Sequence, residues 1–232
     1  MKIDAANLII TIDGPAGAGK STVARGVAKA LGFSYLDTGA IYRVATLAAQ
    51  RAGIDLPNER SPKRVFDAVD QCKLKFVYPD EDSPVHVFLD GDDVTAEIRT
   101  EAVTQHIRYV ADLREVRAIS SELQRSIAAK GRFVCEGRDQ GTVVFPDAFL
   151  KIYLWASPEV RAGRRTQELR ERGEKVDTRE MLKKIKDRDR LDMSREVGGL
   201  KKAHDAVELD TSNMTAQQAI DAIVKLARER LK

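Results

Sequence analysis

The chain has 232 residues, a length that suits one α/β domain, or one domain with small insertions. Hydrophobic residues make up 43% of it, so a sizeable core can form, and the formal net charge of +3 is close to balance. This composition argues against intrinsic disorder and against a general nucleic-acid coat protein. The longest apolar run near the N-terminus, residues 8–12, is too short for a signal peptide or a membrane span, so a soluble cytoplasmic protein is expected.

The first fifty residues alternate strand and helix patterns. Residues 8–12 are apolar and mostly β-branched, which predicts a strand buried on both faces. A glycine-rich turn leads into a helix at 21–31, which Gly32 is expected to end as a C-terminal cap. After a short strand at 34–36, Thr38 is predicted to cap a second helix.

The stretch from 58 to about 100 has a different texture. Ser61-Pro62 starts a helix, since serine is a good cap and proline suits the first turn. Residues 73–77 and 85–89 then alternate like strands and are separated by a polar turn at 79–82. Two or three short antiparallel strands between helices indicate an inserted subdomain outside the main sheet.

The rest of the chain returns to long helices and buried strands. Buried strands are predicted at 132–135 and 150–154, and a last strand is predicted at 206–209. A helical pattern fills 102–129, Ser157-Pro158 opens another helix, and Thr215 and Gln218 form a capping box before the last one. Strands that alternate with helices predict an α/β fold with a parallel sheet between helices. Its core is expected at about 1–57, 101–160 and 203–232.

A phosphate-binding loop is predicted between the first strand and the first helix. The sequence at 14–21 matches the pattern G-x-x-x-x-G-K-[ST], in the strand–loop–helix context that the pattern requires. Its glycines let backbone N–H groups approach phosphate oxygens at the positive end of the helix. Lys20 would reach the β- and γ-phosphates, and the Ser21 hydroxyl would bind Mg²⁺. The loop predicts ATP or GTP as the donor, and a chance glycine-rich turn is the alternative.

The residues predicted to bind ATP in this loop are Gly14, Pro15, Ala16, Gly17, Ala18, Gly19, Lys20, Ser21 and Thr22.

A second anion site is predicted at the start of the second helix. Thr38 offers a hydroxyl, Tyr42 a phenol and Arg43 a bidentate guanidinium group. Gly39 leaves room for an anion at the helix N-terminus. The alternative is that Thr38 only caps the helix and that Arg43 lies at the surface.

Arg138 and Asp139 follow the strand at 132–135. Open α/β sheets bind ligands at the carboxyl ends of their strands. Arg138 suits a phosphate, and Asp139 could accept a hydrogen bond from an exocyclic amine. A salt-bridged loop is the alternative.

Charge of both signs dominates residues 161–202. Arg188, Asp192 and Arg195 share one stripe of a helix, where two guanidinium groups beside a carboxylate could clamp phosphates and a ribose hydroxyl. A second basic cluster consists of Arg161, Arg164 and Arg165. Such a polar helix pair could open and close as a lid. A solvated helix with surface ion pairs is the alternative.

With these motifs in place, the sequence resembles the bacterial cytidylate kinases, which are P-loop nucleoside monophosphate kinases. The matching segments occur in family order along nearly the whole chain. They are 13–21, 37–43, 98–100, 116–117, 137–146 and 186–195. The segment at 137–146, Gly-Arg-Asp-Gln-Gly-Thr-Val-Val-Phe-Pro, is far more specific than the phosphate-binding loop, which unrelated NTPases share.

The resemblance implies a P-loop NTPase-type parallel core of five strands, an acceptor region enlarged by the small sheet at about 58–100, and a helical lid at about 161–202. It implies the reaction ATP + CMP (or dCMP) → ADP + CDP (or dCDP), with Mg²⁺ as the cofactor, in pyrimidine nucleotide metabolism. Small nucleotides are the expected partners, with no nucleic acid and no membrane, and a monomer is expected.

The resemblance also assigns roles to single residues. The CMP site would consist of Thr38, Tyr42, Arg43, Arg117, Arg138, Asp139, Arg188 and Asp192, with Arg117 and Asp139 reading the cytosine. The catalytic residues would be Lys20, Arg138, Arg188 and Arg195, because transfer between two polyanions needs charge neutralisation. Arg161 and Arg165 would bind ATP. Two positions depart from the family: Arg108 stands where a serine commonly contacts the base, and Glu136 stands where relatives often carry aspartate.

Two other functions fit parts of the same sequence. A kinase for UMP, AMP or shikimate would share the phosphate-binding loop, but the 137–146 segment and the inserted strands weigh against it. A nucleotide-regulated nucleic-acid-binding module would use the basic segment, but interleaved acidic residues and an aromatic content of only 6% oppose it.

Overall fold

The computed structural model describes residues 8–59, 61–77, 85–171 and 173–232. Within these ranges, no helix is both long and apolar enough to cross a membrane. The chain divides into two units, the first drawn from Met1–Leu36 and Ala128–Lys232 and the second from Asp37–Ile127. The second unit extends beyond the predicted insertion of 58–100 at both ends, and the division into core, insertion and lid stays a prediction.

Five parallel strands form the sheet of the first unit. They are β1 (Ile9–Asp13), β2 (Ser34–Asp37), β6 (Phe133–Gly137), β7 (Leu150–Trp155) and β8 (Val207–Asp210), numbered in chain order. Their order across the sheet is β2-β6-β1-β7-β8. In the central strand, Ile10 lies opposite Val134 of β6 and Leu150 of β7, and all three side chains are buried. A strand enclosed in this way needs a continuous apolar run, so the prediction of a parallel α/β core is confirmed.

Among the described residues, four helices belong to the first unit: α1 (Lys20–Leu31), α7 (Pro158–Glu171), α8 (Thr178–Ser194) and α9 (Ala216–Arg230). Helices α1 and α9 bury their apolar stripes against the sheet. Val23 and Val27 of α1 and Ile223 of α9 share one buried cluster with Ile10 and Ile12 of β1. This packing fixes the direction in which α1 leaves the sheet, and with it the position of the loop between β1 and α1.

Helix ends follow the predicted signals at three places. Gly32 ends α1 in the left-handed conformation, with a φ of 65° that glycine adopts without strain. Thr215 and Gln218 bond each other's backbone N–H groups in a capping box at the start of α9. In the second unit, the Ser61 side chain accepts a hydrogen bond from the backbone N–H of Arg64, and Pro62 is the first helical residue.

The second unit combines helices with a small antiparallel sheet. Its helices are α2 (Thr38–Arg51), α3 (Pro62–Asp70), α4 (Glu101–Thr104), α5 (Ile107–Ala111) and α6 (Arg114–Ala128), and its strands are β3 (Leu74–Val77), β4 (His86–Leu89) and β5 (Asp92–Asp93). The antiparallel order β3-β4-β5 confirms the predicted inserted sheet. Val87 and Leu89 of β4 share a buried cluster with Val44 of α2. The polar turn predicted at 79–82 lies outside the described residues.

The helical pattern predicted at 102–129 is confirmed, but it is divided into the three separate helices α4, α5 and α6. Long polar side chains take the backbone carbonyls that a continuous helix would use. Gln50 donates to the carbonyl of Ala102 at 3.1 Å, and Arg117 donates to that of Ala111 at 3.0 Å. Such side-chain bonds compete with helix hydrogen bonds, and their distant partners leave no trace in the local hydrophobic pattern.

The prediction that Thr38 caps α2 was wrong. The cap is Asp37, whose carboxylate accepts a hydrogen bond from the Ala40 N–H at 3.1 Å, and Thr38 is the buried first residue of the helix. Aspartate is at least as good a cap as threonine, and its negative charge also suits the helix dipole. The Asp37 carboxylate additionally accepts hydrogen bonds from Arg99 at 3.4 Å.

Gly26, inside α1, provides a test of the α1–α9 packing. A Cβ atom there would lie 2.2 Å from Cδ1 and 2.8 Å from Cγ1 of Ile220. Gly26→Ala should therefore lower the free energy of unfolding by about 1–3 kcal/mol, because overpacking outweighs the better helix propensity of alanine. Adding Ile220→Val removes Cδ1 and should recover part of the loss. Urea unfolding curves measure both effects.

Gly163 of α7 is the matched control. No described atom other than the backbone of its own helix approaches its Cβ position within 4 Å. Gly163→Ala should raise the free energy of unfolding by about 0.5–1 kcal/mol, because alanine loses less conformational freedom in a helix. Equal effects of the two glycine substitutions would contradict the packing argument.

Candidate active site

The loop between β1 and α1 has the backbone that its motif predicts. Gly17 and Gly19 have φ angles of 76° and 85°, which favour glycine. At Gly14 a Cβ atom would lie 2.0 Å from the carbonyl oxygen of Leu154 in β7, so a side chain is excluded there by close packing. These glycines bring the loop tightly against the sheet and place its end at the N-terminus of α1, where backbone N–H groups favour an anion.

Lys20, the first residue of α1, is buried, and its ammonium group donates to the carbonyl oxygen of Pro15 at 2.8 Å. Burial is the main cause that lowers its pKa, and the positive charge of Arg138 acts in the same direction, followed by that of Arg188. Glu136 and Asp192 oppose this effect. A cation held in such surroundings is poised to interact with an incoming polyanion.

Arg138 and Asp192 form the centre of the predicted charge cluster. Arg138 Nε donates to Asp192 Oδ2 at 2.8 Å, and Arg195 Nη2 lies 3.4 Å from Asp192 Oδ1. Burial acts to raise the pKa of Asp192, but the charges of Arg138, Arg188 and Arg195 outweigh it and hold that pKa below its ordinary value. The structure therefore brings the four predicted catalytic residues, Lys20, Arg138, Arg188 and Arg195, into one electrostatic cluster.

The segment that carries Arg138 and Asp139 is held by the carboxylate of Asp13, at the end of β1. Asp13 Oδ1 accepts from the Gln140 N–H at 2.9 Å, and Oδ2 accepts from the Gly141 N–H at 2.7 Å. Burial is the main cause that raises the pKa of Asp13 to about 6, and Asp139 adds to it, while the two backbone N–H groups and Lys20 lower it. One buried side chain thus joins the strand before the phosphate-binding loop to the turn after Asp139.

That turn, Gln140–Val144, is a single π-helical turn. A Cβ atom on Gly141 would lie 2.9 Å from Thr11 Oγ1 and 3.2 Å from Lys151 Cδ, so glycine is needed where the turn packs on the sheet. The Lys151 ammonium donates to the carbonyl oxygen of Pro146 and to Asp205, the latter at 2.9 Å.

The two arginines predicted to bind ATP differ in their surroundings. Arg161 is 1% exposed and forms a bidentate ion pair with Asp189 of α8. Arg165 pairs with Glu168 at 2.7 Å, and its side chain is 43% exposed. In the phosphate-binding loop region, Ser21 is half-buried and Thr22 is exposed, while Asp139 is buried. The nucleotide contacts of all these residues stay predictions.

The second unit contains the other residues predicted to bind CMP. The guanidinium carbon of Arg117 lies 5.3 Å from the centroid of the Tyr42 ring, which brings these two residues together. Arg43 donates to Thr104 Oγ1 at 2.7 Å and to the Ile98 carbonyl at 3.3 Å. Both arginines are therefore fixed by their own unit. Arg108 is exposed and donates to the Tyr109 hydroxyl at 2.5 Å.

The family model described as cytidylate kinase matches residues 10–229 of the chain. The chain belongs to the cytidylate kinase family.

Relatives named cytidylate kinase match this chain over nearly its whole length. A cytidylate kinase from Pelotomaculum thermopropionicum is 50% identical over 215 residues, which cover 93% of each chain. One from Rhodopirellula baltica is 44% identical over 222 residues, covering 96% of this chain and 93% of the relative. A bifunctional pantoate ligase/cytidylate kinase from Thermosynechococcus vestitus is 43% identical and covers 98% of this chain, which spans 44% of that longer relative.

Among solved structures, TT1252 from Thermus thermophilus matches with a TM-score of 0.51 and 17% identity, covering 98% of this chain and 99% of that one. At this identity the likeness concerns the fold alone. It agrees with the parallel α/β core predicted for a cytidylate kinase family member.

Three supporting residues of this family member were missed by the sequence analysis: Asp13, Lys151 and Asp189. Each is a charged residue that the structure buries wholly or largely and that bonds a segment distant in sequence. A sequence signal existed for Asp13 and Lys151, because a charge at the end of or within an apolar strand needs a partner. Asp189 lies in a segment rich in charge, where nothing distinguished it from its neighbours.

Asp13→Asn tests the energetic cost of this buried carboxylate. The pKa of Asp13 is about 6 in the folded protein, against 3.8 ordinarily. Its contribution to the free energy of unfolding is therefore fully present below about pH 4 and is lost as the pH rises through 6. The free energy of unfolding of the wild type, relative to Asp13→Asn, should fall by about 3 kcal/mol between about pH 4 and pH 7. Urea unfolding of both proteins across this range measures the difference, and parallel pH profiles would contradict it.

Proposed function

We propose that the chain transfers the γ-phosphoryl group of ATP to CMP, giving ADP and CDP, with dCMP as a second acceptor. One observation carries the proposal beyond family membership. Buried Lys20 of the phosphate-binding loop lies in the same electrostatic cluster as Arg138, Arg188, Asp192 and Arg195, the residues that the family resemblance assigns to acceptor and phosphates. A donor loop and acceptor cations in one cluster suit transfer between two nucleotides.

The acceptor phosphate is itself the nucleophile in this reaction. Because the second pKa of a phosphate monoester is about 6, CMP is mostly a dianion at neutral pH and needs no general base. An acceptor oxygen forms a bond to the γ-phosphorus while the bond to the β–γ bridging oxygen breaks, and that oxygen leaves on ADP. Catalysis then consists of positioning and charge neutralisation, for which Lys20, Arg138, Arg188 and Arg195 are proposed.

The loop residues fit a nucleotide-bound Mg²⁺. The Ser21 hydroxyl is a hard oxygen donor in the first turn of α1, directly after Lys20, and Mg²⁺ prefers such donors together with substrate phosphates and water. When bound there, the ion would neutralise charge on the β- and γ-phosphates. Lys20 and the backbone N–H groups of the loop would hold the same phosphates.

Recognition of CMP is proposed to use the residues that the family resemblance assigns to it. In the second unit, Thr38, Tyr42 and Arg43 would bind the phosphate and Arg117 the base. The hydrogen bonds of Arg43 to Thr104 and of Arg117 to Ala111 support this role, because a guanidinium group that is already oriented loses less freedom on binding. In the first unit, Asp139 would accept from the cytosine amino group.

The cellular setting is proposed from the same chemistry. A kinase for CMP belongs to pyrimidine nucleotide metabolism. The two cysteines, Cys72 and Cys135, are free, which supports the cytoplasm as its compartment. We propose that the chain acts as a monomer on small nucleotides.

A panel of acceptors tests the function. With Mg²⁺ and ATP, kcat/KM should be highest for CMP and dCMP and lower for UMP and AMP by about tenfold or more.

Lys20→Met should lower kcat by about a hundredfold or more, because it removes a positive charge that would stabilise the migrating phosphoryl group. Melting curves confirm that the variant is folded. Preference for another acceptor, or a folded Lys20→Met protein with wild-type kcat, would refute the assignment.

Asp139→Asn tests base recognition. A carboxylate accepts a hydrogen bond from the amino group of cytosine and repels the carbonyl that uracil has at that position, whereas the asparagine amide can donate to it. The variant should lose roughly ten- to a hundredfold in kcat/KM for CMP, and its preference for CMP over UMP should shrink. Steady-state kinetics with both acceptors give the ratio. An unchanged CMP-to-UMP ratio would show that Asp139 does not read the base.

A further inference from the structure

The guanidinium group of Arg161, in the first turn of α7, is enclosed by four hydrogen bonds. Nε donates to the carbonyl oxygen of Ala156 at 2.8 Å, and Nη1 donates to that of Ala16 at 2.9 Å. Nη1 and Nη2 also donate to the two carboxylate oxygens of Asp189, at 3.0 and 2.6 Å. Four of the five N–H donors of this side chain are thereby used inside the protein.

These bonds join three parts of the first unit. Ala16 belongs to the phosphate-binding loop, Ala156 follows β7, and Asp189 lies in α8. The loop also packs on both helices, because the Cβ position of Gly17 is 3.5 Å from Arg161 Cβ and 3.9 Å from Ile185 Cδ1 of α8. A bidentate pair of a guanidinium group and a carboxylate fixes orientation as well as distance. Arg161 therefore connects the loop to α8 with a defined geometry.

Helix α8 carries two residues of the charge cluster, Arg188 and Asp192. Asp189 is the neighbour of Arg188 and lies three positions before Asp192, which pairs with Arg138 at 2.8 Å. Because the backbone of α8 is continuous from Thr178 to Ser194, a change in the position of Asp189 must also move Arg188 and Asp192. The Arg161–Asp189 pair therefore connects these two residues, through the backbone of α8, to the phosphate-binding loop.

We propose that Arg161 is a positioning residue. Through Asp189 and the Ala16 carbonyl it holds the α8 stripe, which consists of Arg188 and Asp192, in register with the phosphate-binding loop. The proposal rests on the proposed function, because the stripe is assigned to nucleotide binding there. It differs from a direct contact between Arg161 and ATP, since such a contact would have to compete with bonds that the guanidinium group already makes. Breaking the pair should impair the use of donor and acceptor together.

The test compares Asp189→Asn, Arg161→Met and the double variant in steady-state kinetics, with ATP and CMP varied in turn. Each single substitution should lower kcat/KM for both substrates in parallel by about tenfold or more, because it leaves a buried group without its charged partner. The kcat/KM of the double variant should be no lower than that of the less active single variant, since the two residues act as a unit. A defect of Arg161→Met confined to the KM for ATP, with Asp189→Asn at wild-type level, would overturn the proposal in favour of direct contact.

The exposed ion pair between the same two helices is the matched control. Lys186 of α8 lies 3.0 Å from Glu159 of α7, and the two side chains are 54% and 60% exposed. Glu159→Gln and Lys186→Met should keep kcat/KM within about twofold of wild type, because exposed pairs contribute little. A loss in the control equal to that in Asp189→Asn would mean that any α7–α8 contact suffices, and would overturn the specific role of Arg161.

Hydrogen exchange separates local release from unfolding. In Asp189→Asn, the amides of Gly14, of residues 16–19 and of α8 should exchange faster, while β1 and β7 keep their protection. If a variant also loses protection in β1, the same selective pattern is expected in Arg161→Lys, which keeps the charge with fewer donors. Unchanged exchange in both segments would overturn the proposal. Failure of the wild type to phosphorylate CMP would refute the proposed function, whereas an active wild type with an equally active Asp189→Asn refutes this inference alone.

Discussion

The carboxylate of Asp13 at the end of β1 is the contact on which the arrangement of the first unit depends. Its two oxygens accept the N–H groups of Gln140 and Gly141, so the strand that leads into the phosphate-binding loop also holds the segment of Arg138 and Asp139. Parallel strands bring their carboxyl ends to one edge, but the sheet alone does not fix the loops that emerge there. A buried carboxylate bonded to two backbone N–H groups does so at the cost of a raised pKa.

Buried charges of opposite sign provide the remaining constraints in this unit. Asp192 faces Arg138 and Arg195, and Asp189 faces Arg161, so each acidic residue holds cations in a fixed direction. Pairs of this kind contribute little net stability compared with apolar packing, because both charges lose their hydration. Their benefit here is orientation, since guanidinium groups that are held in place before binding need little rearrangement when phosphates arrive.

The sequence predicted the parts of this structure that depend on local patterns. The continuous apolar run at 8–12 identified the central strand β1, and the glycine spacing identified the phosphate-binding loop in its correct context. The helical pattern at 102–129 did not predict the breaks between α4, α5 and α6, because these depend on side chains such as Arg117 that reach back to backbone carbonyls such as that of Ala111. The pairing of Arg161 with Asp189 was missed for a similar reason, since 28 positions separate the two residues and many charged neighbours share their segment. Tertiary bonds of polar side chains are invisible to periodicity.

The lowered pKa of Lys20 connects this architecture to its chemistry. After burial, the charges of Arg138 and Arg188 are the interactions that disfavour the ammonium form, and Glu136 and Asp192 offset them only in part. Burial and these charges together disfavour the ammonium form of Lys20 when no ligand is bound. A bound triphosphate reverses that balance, because each of its charges favours protonated Lys20 and weakens the repulsion among the cations. The repulsion among these cations thus disfavours their charged forms in the unliganded site and makes the site complementary to two polyanions. Phosphoryl transfer in such a site requires no general acid or base.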